Sequence, residues 1–220
     1  MQDIREHTAT TRETALARYE MLREQHPGMF GQGPMPIMDP TTSRHAGVAY
    51  LDPWIMLIVD AVVMPDGRAG DYTRIRYAAP RGAGVAILPI TSHGVVLLRQ
   101  WRHATQSWHL EIPRGFGEPD VATMDQAIAE LHEETGLVGD VVPLGSMNPD
   151  TGILSFDVDL FAAVVHPGQT PKAENALSTI VELDVATFER SIADGTITDS
   201  FTMAAWLRWR LHTEGSASEG

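Results

Sequence analysis

The sequence predicts an α+β fold, an α/β/α sandwich in which a mixed β-sheet is flanked by helices. Three observations carry that expectation. Short, β-rich apolar runs recur across residues 54–183 and are separated by turn signals. One helical stretch interrupts them in mid-chain and stops at Gly136. Two further helical stretches, 185–193 and 200–212, close the chain. Sheets and helices of this kind bury their apolar faces by stacking in layers.

Taken in order, residues 1–27 read as a polar helix. Thr10-Thr11-Arg12-Glu13 has the spacing of a capping box, and Leu16, Tyr19 and Leu22 recur on one face. A single apolar stripe needs a surface to lie on, the body or a partner subunit; a frayed N-terminal extension is the equal alternative. Residues 27–40, rich in Gly, Pro and Met, form an arm without regular structure. The expected organisation is therefore an appendage over 1–48, a main domain over 49–212 and a disordered tail over 213–220. Runs 54–64 and 71–78 flank Pro65-Asp66-Gly67 and predict a hairpin. Runs 85–90 and 95–101 flank a second turn at residues 91–94. Strands follow at 108–113, 141–147, 158–165 and 179–183, then the helix over 185–193, a stop at Asp194-Gly195, and the last helix.

Composition bounds the function. The 220 residues are 43% hydrophobic and 20% charged, ordinary for a folded domain. A formal net charge of −13 argues against nucleic acid or an anionic membrane as partner. Zero cysteines exclude disulfides and thiolate chemistry and fit a reducing compartment. The N-terminus has no apolar signal core, and Asp60 breaks the most apolar run, so the expectation is a soluble cytoplasmic protein.

The chemistry is concentrated in residues 113–137. Thr123 is placed to cap the helix, with Gln126 as reciprocal cap, and Gly136 to end it in a left-handed conformation. Ile128 and Leu131 are expected on the core face. Glu130, Glu133 and Glu134 lie three and four apart, where like charges cost about 0.2–0.5 kcal/mol per pair. No Lys or Arg follows Gly115 for many residues to offset them. A hard divalent cation turns that repulsion into coordination. A solvated acidic face is the plainer alternative. It ranks second because glycine loop, carboxylates and glycine stop occur together.

These residues resemble the Nudix hydrolase box. Gly115 opens it, and Glu130, Leu131, Glu133, Glu134, Gly136 and Leu137 fall in register on its later positions. Two positions depart, with Val121 for the first glutamate and Ala129 for the arginine. In the family those side chains pair and brace the loop, so the departure implies a rebuilt brace, with Val121 and Ala129 packing together. Over about residues 50–212 the chain is most similar to the ADP-ribose pyrophosphatase and nucleotide-sugar hydrolase group. It shares Gln100-Trp101-Arg102, Trp108-His109-Leu110-Glu111-Ile112-Pro113 and Asp194-Gly195-Thr196-Ile197-Thr198-Asp199. The resemblance implies Mg²⁺, with Mn²⁺ as a substitute, held by Glu130, Glu134 and the backbone carbonyl of Arg114. Glu133 completes the shell or orients a water. By the same resemblance Arg102 would bind substrate beside Gly115 and Phe116, and Glu174 would be the catalytic base. Ala176 stands where a second loop glutamate is usual. The group's N-terminal strands often pair across a homodimer.

Other chemistries fail on residues. His132-Glu133-Glu134-Thr135-Gly136 lacks the second histidine of a zinc-protease helix. His103 and His109 lack partners at ligand spacing and read as structural, and His132 as solvent-facing. Trp54, Phe116, Trp206 and Trp209 are read first as core residues, with base stacking the alternative for Trp54 and Phe116. The leading expectation is a Mg²⁺-dependent hydrolase of a nucleoside diphosphate derivative, ADP-ribose or a nucleotide sugar first. The runner-up is a Nudix-fold nucleotide-binding or regulatory protein. A less common diphosphate, with the arm shaping the pocket, is a third reading.

Overall fold

A computed structural model describes residues 11–31, 33–78, 82–173 and 178–218. The chain divides into two compact units, Met1–Pro80 with Asp150–Phe156, and Arg81–Pro149 with Asp157–Gly220. The division falls near residue 80. The reason is that the first hairpin pairs with its own short sheet rather than with the main one.

In the first unit, helix α1 (Arg12–Gln25) begins at Thr11, whose hydroxyl accepts from the Thr14 N–H. The cap thus sits one residue later than the capping-box spacing indicates. Strands β1 (Gly47–Leu51), β2 (Ile55–Val63) and β3 (Ala69–Tyr77) form an antiparallel sheet in that order. Two of the three stripe residues pack: Tyr19 and Leu22 join Val48, Met56 and Ile58 in one core, while Leu16 is half-buried and Ala15 takes the buried place beside it. Tyr19 donates its hydroxyl to buried Asp60 at 2.6 Å, and Asp60 also takes Arg74 at 2.7 Å. The arm contains short 3₁₀ turns at Pro27–Phe30 and Pro40–Thr42, and Ile37 bridges Val62. It is held because Arg12 donates to the carbonyls of Pro40 and Ser43. Segment 150–156 joins this unit by a parallel bridge from Leu154 to Ile75.

The second unit holds strands β4 (Gly82–Ile90), β5 (Val95–Arg102), β6 (Ser107–Glu111), β7 (Arg114–Gly117), β8 (Gly139–Met147), β9 (Val158–Val165) and β10 (Ser178–Leu183). Helix α2 (Thr123–Thr135) follows β7, and α3 (Val185–Ala193) and α4 (Ser200–Ser218) follow β10. The sheet runs β10-β5-β4-β9-β8, with β6 on β5 and β7 on β4. The β4–β9 pairing is parallel and the others antiparallel, so the sheet is mixed. Alternation along the strands feeds two cores. Ala86, Leu88, Leu97 and Leu160 pack with Phe188, Ala205 and Trp206 on one face. Val85, Ile87, Val96 and Phe161 pack with Ala127, Leu131 and Leu137 on the other. This is the expected α/β/α sandwich. The last helix continues through Ser218. Arg210 pairs with Glu214 one turn on and supports the extension.

Candidate active site

The sequence enters the site through Pro113. Strand β7 pairs Gly115 with Val85 and Arg114 with Ala86, which lays the glycine loop along the central strand. Helix α2 packs over it through Ala127, Leu131 and Thr135, all buried. Ile128 is exposed, which corrects its assignment to the core face. The helix uses an i, i+4, i+8 row of two small residues and one leucine. The N-cap is Ala122, with no side-chain hydrogen bond, so Thr123 does not cap. Gln126 reaches forward instead and donates to Glu130 Oε1 at 3.1 Å. Gly136 ends the helix in the left-handed conformation, φ 69°, as expected.

The carboxylates follow from that docking. A Cβ at Gly115 would lie 1.8 Å from Glu130 Oε1 and 2.1 Å from its Cδ. The glutamate therefore occupies the space that only glycine leaves open. One turn on, Glu134 Oε2 accepts the Arg114 N–H at 3.0 Å. Glu133 is exposed. Among the described residues no three His, Cys, Asp or Glu side chains gather as a metal group. The fit to a divalent ion rests on donor chemistry. Glu130, Glu134 and the adjoining backbone supply oxygen alone, which suits Mg²⁺ or Mn²⁺, ions that retain waters and share substrate phosphates.

Arg102 lies at the end of β5 and is tied to β6. Its Nε donates to Glu111 Oε1 at 2.7 Å. Glu111 is 1% exposed and its other oxygen takes Arg114 Nη2 at 2.7 Å. Arg114 Nη1 reaches Asp199 at 3.1 Å. Asp199 accepts the N–H and hydroxyl of Thr202, and that hydroxyl accepts the Ile112 N–H. Sequence reasoning assigned no role to Glu111 or Asp199. The available signal was a glutamate inside the apolar strand Leu110-Glu111-Ile112, flanked by arginines at 102 and 114.

Phe116 is 47% exposed beside Gly115, which corrects the core reading. Trp54 is exposed as well, in the other unit. Val121 is 40% exposed and Ala129 half-buried, so no buried apolar pair fills the brace position. His132 is exposed as expected, and His109 is held by Thr105 and Ser107. Trp206 packs edge-on to Phe188 in the core. Glu174 and Ala176 lie outside the described residues. A cavity of about 300 Å³ opens at the start of α2, lined in part by Thr123, Met124, Pro143 and Ser146. Neither Glu130 nor Glu134 lines it.

The family model described as the NUDIX domain matches residues 80–193, just over half of the chain. The chain belongs to the Nudix family. Its matched region holds the glycine loop, α2 and both clustered glutamates. An ADP-sugar pyrophosphatase of Mus musculus is 29% identical over 107 residues, which cover 44% of this chain and 49% of that protein. The chain thus spans about half the length of the curated relative it matches. A solved structure titled "Crystal structure of ADP compounds hydrolase" superposes with a TM-score of 0.69 at 19% identity, covering 84% of this chain and 97% of that one. That likeness shows a shared fold. Nudix hydrolases generally use divalent metal ions. Among the described residues no helix is long and apolar enough to cross a membrane.

Proposed function

We propose that this Nudix protein hydrolyses the diphosphate of a nucleoside diphosphate derivative, ADP-ribose or a nucleotide sugar first, with Mg²⁺ or Mn²⁺. The observation that carries the reading is the Glu130 carboxylate lodged against Gly115, with Glu134 one turn away on the Arg114 N–H. Two carboxylates on a glycine loop suit an ion that also binds phosphate oxygens. Glu130 and Glu134 would hold such an ion, which when bound would supply charge neutralisation of the diphosphate and a more acidic water. Arg102, anchored through Nε, presents its terminal nitrogens to phosphate oxygens. Exposed Phe116 offers a stacking face next to the loop.

Water attacks one phosphorus, its new O–P bond forming as the bridging P–O bond breaks. Glu174, or exposed Glu133, takes the water proton. The leaving group is a phosphate monoester, which needs no strong general acid. The similarity to the mouse ADP-sugar pyrophosphatase and to the ADP compounds hydrolase supports an ADP-linked substrate. We also propose that the protein is cytoplasmic and pairs as a homodimer through the three-stranded sheet, which exposes Tyr50, Leu51 and Trp54. Light scattering after size exclusion tests the dimer, and a monomeric mass refutes it.

A second reading, a nucleotide-binding protein without turnover, is favoured by exposed Val121 in place of the box glutamate and by the absence of a three-carboxylate group among the described residues. Phosphate-monoester release from a panel of nucleoside diphosphate derivatives separates the two. Metal-dependent release supports hydrolysis. Binding of one compound with no release of any supports the second reading.

A further inference from the structure

We propose that Glu111 is the positioning residue of this site. Its one buried carboxylate aims Arg102 at the substrate and, through Arg114, holds the peptide that faces the metal-binding glutamates. The inference rests on the hydrolase reading above.

Both oxygens of Glu111 are spent on guanidinium groups, Oε1 on Arg102 Nε and Oε2 on Arg114 Nη2, each at 2.7 Å. The two arginines are used differently. Arg114 is closed off by Glu111 and Asp199, and its guanidinium lies 4.9 Å from the Phe201 ring centroid. Arg102 donates to the described residues only through Nε, and its side chain is 32% exposed. One arginine is therefore a strut, and the other is held by its root with its fork open. A guanidinium fixed at Nε loses little further freedom when its fork meets a phosphate.

The strut acts on the metal side. The Arg114 N–H is the donor to Glu134, and Gly115, against which Glu130 lies, is the next residue. Asp199 completes the arrangement from the start of α4, where Thr202 fixes it. Two arginines and two carboxylates balance in charge. Glu111 touches neither substrate nor metal in this arrangement. It acts through Arg102 on one and through residue 114 on the other.

The test uses the full chain and two binding measurements. Calorimetry with α,β-methylene ADP-ribose and Mg²⁺ reads the substrate side. Electron paramagnetic resonance of Mn²⁺ alone reads the metal side. Thermal unfolding confirms folding of wild type, Arg102→Ala, Glu111→Gln and the double variant. Arg102→Ala is expected to weaken the analogue about tenfold or more and to leave Mn²⁺ affinity unchanged. Glu111→Gln is expected to weaken both, and the double variant to bind the analogue no worse than Glu111→Gln alone. Should Glu111→Gln not fold, Glu111→Asp is read in the same way, since its shorter carboxylate cannot span both arginines. Unchanged analogue and Mn²⁺ binding in the Glu111 variant overturns the inference, as does full additivity with Arg102→Ala. If Arg102→Ala itself leaves the analogue unaffected, the hydrolase reading's substrate assignment fails instead.

Discussion

Replacing Gly115 with alanine isolates the geometry on which the active-site reading depends. The added Cβ would lie 1.8 Å from Glu130 Oε1, whereas ordinary contact begins at 3.4 Å. The oxygen must retreat by about 1.6 Å, the difference between those distances, and a misplacement of about 1 Å in a catalytic group costs roughly 10²-fold. All three nearest atoms belong to the Glu130 side chain, with no backbone among them. A side-chain end can swing aside, so the fold is expected to lose less than about 1 kcal/mol. The signature is thus a separation of effects: turnover down by about 100-fold or more and Mn²⁺ affinity reduced, with the unfolding midpoint little changed. Initial rates on ADP-ribose, Mn²⁺ titration and thermal melts read the three quantities. Full activity with wild-type Mn²⁺ affinity in Gly115→Ala would refute the placement of Glu130.

Other perturbations separate site from scaffold. Arg102→Lys keeps the charge but not the fork, so KM should rise while Glu130 and Glu134 still bind Mn²⁺; an unchanged KM counts against the anchored-fork argument. Leu131→Ala empties a position that is 1% exposed and should destabilise the protein by about 2–5 kcal/mol in urea titration, against under 0.5 kcal/mol for exposed Ile128→Thr. Burial, then the hydrogen bond to Asp60, raises the Tyr19 phenol far above its ordinary 10.0. The folded state keeps that proton where the unfolded chain gives it up. The contribution is therefore complete below about pH 10 and drains away as pH rises further, a slope that Tyr19→Phe should reduce.

Much of this was legible because the periodic signals are long or sharply bounded. The strand Val158–Val165 and the helix Val185–Ala193 coincide with their apolar runs, and Gly136 ends α2 as its position indicates. Strand β7 escaped because Arg114-Gly115-Phe116-Gly117 has no period of its own and is a strand only through pairing with β4. On α2 the expected Leu131 is buried and Ile128 is not, because alanine and threonine share the core face with Leu131 and neither marks a face by hydrophobicity. At the site, the box located Glu130 and Glu134, since helix spacing is a local property. Arg102, Glu111 and Arg114 are close in sequence, but their pairing depends on the register of β5 with β6, and Asp199 reaches Arg114 only through the packing of the start of α4. Sequence had Arg114 contributing a backbone oxygen alone, and its side chain carries a second task.

The most direct measurement is release of phosphate monoester from ADP-ribose, coupled to a phosphatase, by wild type and Glu134→Gln with Mg²⁺, with Mn²⁺ and with chelator. The account predicts turnover that requires the metal and falls by about 100-fold or more in the variant, with the fold intact. Turnover that survives chelation, or a Glu134→Gln protein as active as wild type, would contradict it.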